Sequence, residues 1–168
     1  MSKPSAMQNL YVGRAGQAMI MGEFLIRGYN VASPEVDRGD DLFVVRDEDG
    51  VLKRIQVKTA NAVERKSYGF SASFTARYDR LEQAPRPDMT FVFIVRRHDR
   101  WEVPLLITRR DLFELHEARQ VGKLDAGGKK VSFNLKFKTS DGDIEVSCDD
   151  VDLTKFRGDW SAWPLIEH

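Results

Sequence analysis

Asp41, Gln56 and Lys58 are the residues whose types and spacing could do chemistry together. They lie in two short runs, Asp41–Arg46 and Val51–Thr59, joined by Asp47-Glu48-Asp49-Gly50, which read as two strands and a hairpin turn. Side chains alternate faces along a strand, so Gln56 and Lys58 share a face and Val57 points the other way. With Glu48-Asp49 as the loop, Asp41 lies opposite Gln56. With Asp49-Gly50 as the loop, it lies opposite Lys58. Both registers gather the three groups on one face, and only a bulged loop would part them. A carboxylate and an amide oxygen are hard ligands suited to Mg²⁺, and the backbone carbonyl of Val57 could add a third oxygen. An ammonium beside the cation can orient a water, or deprotonate one if burial and the cation depress its pKa. The set is what hydrolysis of a phosphodiester needs. The residues alone also fit a plain wet strand face with an Asp–Lys cross-strand pair.

Glu23 is the fourth candidate. It lies on a helix expected over Asn9–Arg27, beside Met19, Ile20 and Ile26. A carboxylate among apolar neighbours must be paired, ligating or exposed. An i,i+4 pair with Arg27 on a solvated edge is the competing reading. Ala15, Ala18, Met19, Ile20, Phe24, Leu25 and Ile26 cover most of this helix's circumference, which predicts burial on more than one side. Gly28 stands where a left-handed C-cap belongs.

Other elements must position these residues. Tyr29–Ala32 reads as a short strand stopped by Ser33-Pro34, and Asp37–Asp40 as a charged loop. Tyr68–Thr75 reads as a strand, followed by a short helix near Tyr78–Gln83. Met89–Arg96 is a continuous apolar strand covered on both faces, with Trp101–Ile107 as its neighbour. Thr108 caps a helix to about Arg119. Val131–Lys138 alternates as a half-exposed strand with Lys136 and Lys138 on the wet face. Asp141-Gly142 turns into a strand over Ile144–Ser147. Val151–Ile166 reads as a helical tail carrying Trp160 and Trp163. Residues 1–8 are polar and expected to be disordered. The 168 residues show no repeat or linker and suit a single domain over 1–168.

Composition limits the function. Lys+Arg and Asp+Glu balance at 26 each, so a nucleic-acid partner would need a local positive field rather than a basic whole. The candidates are Arg65 and Lys66, Arg96 and Arg97 with Arg100, Arg109-Arg110, and Lys136 with Lys138, with the acidic run Asp141–Asp152 facing away. One cysteine, Cys148, excludes an internal disulfide and fits a reducing cytoplasm. No apolar stretch approaches the roughly 20 residues of a membrane span. No His-Cys or Ser-His-Asp arrangement is visible.

Gly16…Gly22-Glu23-Phe24-Leu25…Gly28-Tyr29-Asn30-Val31…Pro34…Asp37-Arg38-Gly39-Asp40-Asp41-Leu42…Arg54-Ile55-Gln56-Val57-Lys58-Thr59 resembles the PD-(D/E)XK nuclease superfamily. It is most similar to the Gln-X-Lys branch, which includes bacterial group I intron-type homing endonucleases. The resemblance implies an α/β, restriction-endonuclease-like core, a central mixed sheet flanked by helices. It implies a metal-dependent DNA endonuclease using Mg²⁺, with Mn²⁺ as substitute, acting as a homodimer or higher homo-oligomer when both strands are cut. Asp41 would be the main ligand, Gln56 would stand where most relatives carry Glu or Asp, Lys58 would handle the water, and Glu23 would be the helix carboxylate. Asp40 and Asp37 rank below Asp41 as ligands. Gln56 departs from the commoner pattern, and a neutral amide binds a cation more weakly than a carboxylate. A non-catalytic nucleic-acid-binding or protein-interaction module on the same scaffold is therefore the alternative.

Overall fold

The computed structural model describes residues 6–36, 39–140 and 142–166. In chain order the elements are α1 (Ala6–Ile26), β1 (Asn30–Ala32), β2 (Leu42–Val45), β3 (Leu52–Asn61), β4 (Val63–Arg65), β5 (Gly69–Arg77), α2 (Tyr78–Glu82), β6 (Met89–Arg97), β7 (Arg100–Trp101), β8 (Leu105–Thr108), α3 (Arg109–Arg119), β9 (Lys123–Leu124), β10 (Lys130–Ser140), β11 (Asp143–Cys148) and β12 (Val151–Asp152). Helix α1 begins at Ala6, so residues 6–8 are helical rather than disordered, and the rest of that expected tail lies outside the described residues. No described helix is long and apolar enough to cross a membrane.

The central sheet is mixed, in the order β1-β2-β3-β6-β7 with β8 also on β6; β3 and β6 run parallel and the other neighbours antiparallel. The apolar run of β6 is buried from Met89 to Val95 because both faces of the sheet are covered. On one face lie α1 and the C-terminal tail, with Ile20, Phe24, Leu42, Val44, Ile55, Val92 and Ile94 between them. The other face meets a second, antiparallel sheet, β12-β11-β10-β5-β4 with β9 on β10, and receives Leu112 of α3. The core is thus α/β as expected, a mixed central sheet with α1 on one face and the second sheet with α3 on the other. Aromatic packing fills the space between the sheets. Phe70 and Phe137 stack at 4.4 Å, and Phe93 meets Phe74 and Phe133 edge-on.

Three expectations change. The expected Trp101–Ile107 strand breaks into β7 and β8 at Pro104, which has no N–H for a ladder. The tail is not a helix: beyond β12 it has only a 3₁₀ turn, Thr154–Phe156, and Gly158 takes a φ of +66°. Its tryptophans instead clasp α1 edge-on, Trp160 and Trp163 standing 5.5 and 5.4 Å from Phe24. Lys53 donates to Ala162 O at 2.6 Å and Ile166 N to Arg27 O at 3.0 Å, so the tail ties α1 to β3. Finally, α1 is buried on one stripe only, through Gly16, Ile20 and Phe24. Tyr11 and Ile26 stay 70% and 76% exposed, because no other described element packs on that side.

Phe24 is fully buried under both tryptophans. Phe24→Ala is expected to cost about 3–5 kcal/mol, read as a shift of the urea midpoint. Cys148 is fully buried, and burial followed by the Asp149 carboxylate pushes its thiol up to about 12. It is expected to ignore a thiol reagent at about pH 8 until the protein is unfolded, since only the thiolate reacts.

Candidate active site

The site is built where β2 gives out beside β3. The ladder pairs Leu42 with Ile55 and Val45 with Leu52, and Arg46 N donates to Val51 O at 3.2 Å. Residues 47–50 form the loop, closed by Gly50 N on Arg46 O at 2.8 Å with Gly50 at a φ of +65°. Continued regularly, this register would put Asp41 opposite Gln56, but the ladder ends at Leu42, and Asp41 N turns to Ile55 O, so Asp41 and Leu42 both face Ile55. Odd-numbered β3 residues turn their amides and carbonyls toward β2: Ile55 O accepts Asp41 N at 2.9 Å. The next such amide, Val57 N, meets no strand carbonyl and donates instead to Asp41 Oδ2 at 2.7 Å. By the same parity the Val57 carbonyl faces the edge that β2 leaves open.

A groove of about 340 Å³ opens there. Asn9, Leu10, Gly13, Arg14 and Gln17 of α1 form one wall, and Pro34, Glu35, Asp40 and Asp41 the other, over Val57, Lys58 and Thr59 of β3. Gly16 makes this geometry: a Cβ there would lie 2.3 Å from Thr59 Oγ1. The close approach lets Gln17 Nε2 donate to Asp41 O at 2.7 Å. Asp41 is thus held at its amide, its carboxylate and its carbonyl.

Gln56, between the groove residue Val57 and the core residue Ile55, does not itself line the groove; it is buried, 9% exposed, and its Oε1 has no hydrogen-bond partner. A buried acceptor without a protein donor costs roughly 1–3 kcal/mol unless a water or an ion meets it. Asp40 is 5% exposed and meets Arg54 through both carboxylate oxygens, which raises the Arg54 pKa. That pairing makes Asp40 an ion-pair partner rather than a ligand in waiting. Asp37 lies outside the described residues. Among the described residues no group of three or more His, Cys, Asp or Glu is placed to hold a metal ion. The groove lining itself carries the carboxylates of Asp40, Asp41 and Glu35 and the amides of Asn9 and Gln17.

Glu23 does not line the groove. It lies about 9 Å along α1 from Gln17 and about 120° around it, near the far end of the helix. The α1 residue that reaches Asp41 is Gln17. As an uncharged residue in an apolar run it carries no signal of its own; the pointer is the neighbouring Gly16, a position bare of side chain where two backbones meet.

None of the nine basic residues expected to bind nucleic acid lines the groove. Arg97 pairs with Glu64 at 2.7 and 3.1 Å, Arg65 donates to Ser71 Oγ at 2.9 Å, and Arg96 stacks 5.5 Å from the Trp101 centroid. Lys66 is exposed beyond β4. Lys136 and Lys138 pair with Asp150 and Glu145 at 3.5 and 3.7 Å. The acidic run therefore does not face away: β11 folds back antiparallel on β10 and brings its carboxylates beside those lysines.

Residues 7–103 match the family model described as PD-(D/E)XK endonuclease. The chain belongs to the PD-(D/E)XK endonuclease family. Among solved structures, the PD-(D/E)XK chain is similar to the bacterial homing endonuclease I-Ssp6803I, with 17% identity, a TM-score of 0.55, and coverage of 95% of this chain and 91% of that one. At that identity the likeness speaks for the fold. No curated protein matches the sequence.

Gln56→Met keeps the side chain's length and removes the partnerless oxygen from the PD-(D/E)XK core. The metal-free variant is expected to be as stable as the parent or more so, by up to about 2 kcal/mol, in urea unfolding. A large loss of stability would show that the amide is satisfied after all.

Proposed function

We propose that this chain is a metal-dependent DNA endonuclease that hydrolyses phosphodiester bonds, with Asp41, Gln56 and the Val57 carbonyl holding Mg²⁺ and Lys58 serving the attacking water. The observation that carries the reading is the partnerless Gln56 Oε1, on the residue next to Val57, whose amide anchors the Asp41 carboxylate. Hard oxygens of carboxylate, amide and carbonyl type suit Mg²⁺, or Mn²⁺ in its place. When bound, the cation supplies a polarised water and offsets charge on the scissile phosphate.

The chain's own residues would divide the remaining work. Asp41 is fixed by the Val57 amide through Oδ2, which gives its carboxylate one direction. Lys58 on the groove lining donates to the water and holds it in line with the phosphorus. Glu23 has no part in this scheme, since it stands off the groove. The substrate class follows from the family and from the name of the homing endonuclease that shares the fold. Cutting both strands of a duplex needs two such sites, hence a homodimer or higher homo-oligomer.

Purified protein is expected to cut DNA with Mg²⁺ or Mn²⁺ when duplex, branched and single-stranded substrates are tried. Asp41→Ala should abolish cutting, and Lys58→Ala should slow it roughly 10²–10⁴-fold. Cleavage that survives Asp41→Ala would refute the site. DNA binding that is indifferent to Mg²⁺, with no cleavage and no Asp41-dependent heat on metal titration, would favour a binding module without catalysis.

A further inference from the structure

Arg14 lies on the groove wall with its guanidinium exposed, and among the described residues no carboxylate pairs with it. Its Nη1 donates to Gln17 Oε1 at 2.9 Å, while Gln17 Nε2 donates to Asp41 O at 2.7 Å. Both ends of the amide are thereby assigned. A main-chain carbonyl only accepts and a guanidinium only donates, so the amide has a single consistent orientation. A carboxylate at this place would set oxygen against the Asp41 carbonyl and neutralise Arg14. The amide does neither: it ties the cation to the backbone of Asp41 and leaves the charge intact. A guanidinium spends one of its five N–H groups on such a tether and keeps the rest for a ligand.

We propose that Arg14 binds a phosphate oxygen of the DNA strand lying in the groove, and that Gln17 is the positioning residue that holds Arg14 and Asp41 in one frame. The inference rests on the nuclease reading. It moves the phosphate contact from the arginines and lysines outside the groove to a residue beside the proposed metal ligand. A charge-assisted contact of this type corresponds to a roughly 10–100-fold change in affinity. Each phosphate neutralised contributes about 0.9 to the slope of log affinity against log salt.

The test uses the full chain with Ca²⁺ in place of Mg²⁺ for binding, and Mg²⁺ for turnover. Arg14→Ala is expected to reduce the salt slope by about one, raise KM roughly 10–100-fold and leave kcat within a few-fold. Arg14→Lys should restore the slope. Gln17→Met, which keeps the charge but breaks both tethers, should keep the slope, weaken Mg²⁺ binding and lower kcat. Thermal melting confirms that each variant is folded. If the parent cuts DNA and Arg14→Ala shows an unchanged slope and KM, the inference falls while the nuclease reading stands. If the parent neither binds nor cuts DNA, both fall.

Discussion

The hydrogen bond from Val57 N to the Asp41 carboxylate is the constraint on which the site depends. β3 is longer than β2, so beyond Ile55 its amides and carbonyls on that side have no strand to meet. A buried amide without an acceptor is costly, and the side chain of Asp41 supplies the acceptor from just outside the strand. One requirement of sheet geometry thus orients a carboxylate. The same parity turns the Val57 carbonyl to the open edge and puts Gln56 one rung away. The groove is the place where the sheet runs out.

The rest of the molecule holds that edge in place. β3 cannot move because β6 pairs with it along most of its length, and β6 is locked between two cores. α1 reaches Asp41 only because Gly16 lets its backbone sit against Thr59. The tail matters for the same reason. Trp160 and Trp163 press on Phe24, and Lys53 crosses from β3 to the tail, so the helix bearing Arg14 and Gln17 is clamped at its other end. Packing in the tail is thus coupled to the groove through a rigid helix.

Much of this was legible in the residues. The β2–β3 hairpin, the buried β6 and the Thr108 cap follow from alternation, apolar runs and turn chemistry, which act over a few residues. What escaped was set by contacts distant in the chain. Val151–Ile166 was expected to be a helical tail, but its Trp160 and Trp163 serve as wedges against Phe24. An apolar circumference suggested a helix buried all round, but only one side found a partner. Lys136 and Lys138 stood out as a wet positive face, and the antiparallel return of β11 surrounded them with acids. Glu23 was the helix carboxylate that the family resemblance implied. Helical phase places it on the wrong side, and phase relative to a groove is known only once the groove exists.

Two amides, Gln17 and Gln56, stand at the centre of a site whose chemistry is usually discussed in carboxylates. Their effect on the local field has a definite sign. Each amide can offer an oxygen or a hydrogen bond without adding negative charge. With Asp40 paired to Arg54, Asp41 and Glu35 remain as acids on that wall, against Lys58 and Arg14. Such a field holds a divalent cation less firmly than a carboxylate pair does, and it repels a phosphodiester less. The overall charge balance of the chain then poses no obstacle to a polyanionic substrate. What matters is the sign of the potential over one groove, and two neutral side chains in place of acids shift that sign toward the substrate.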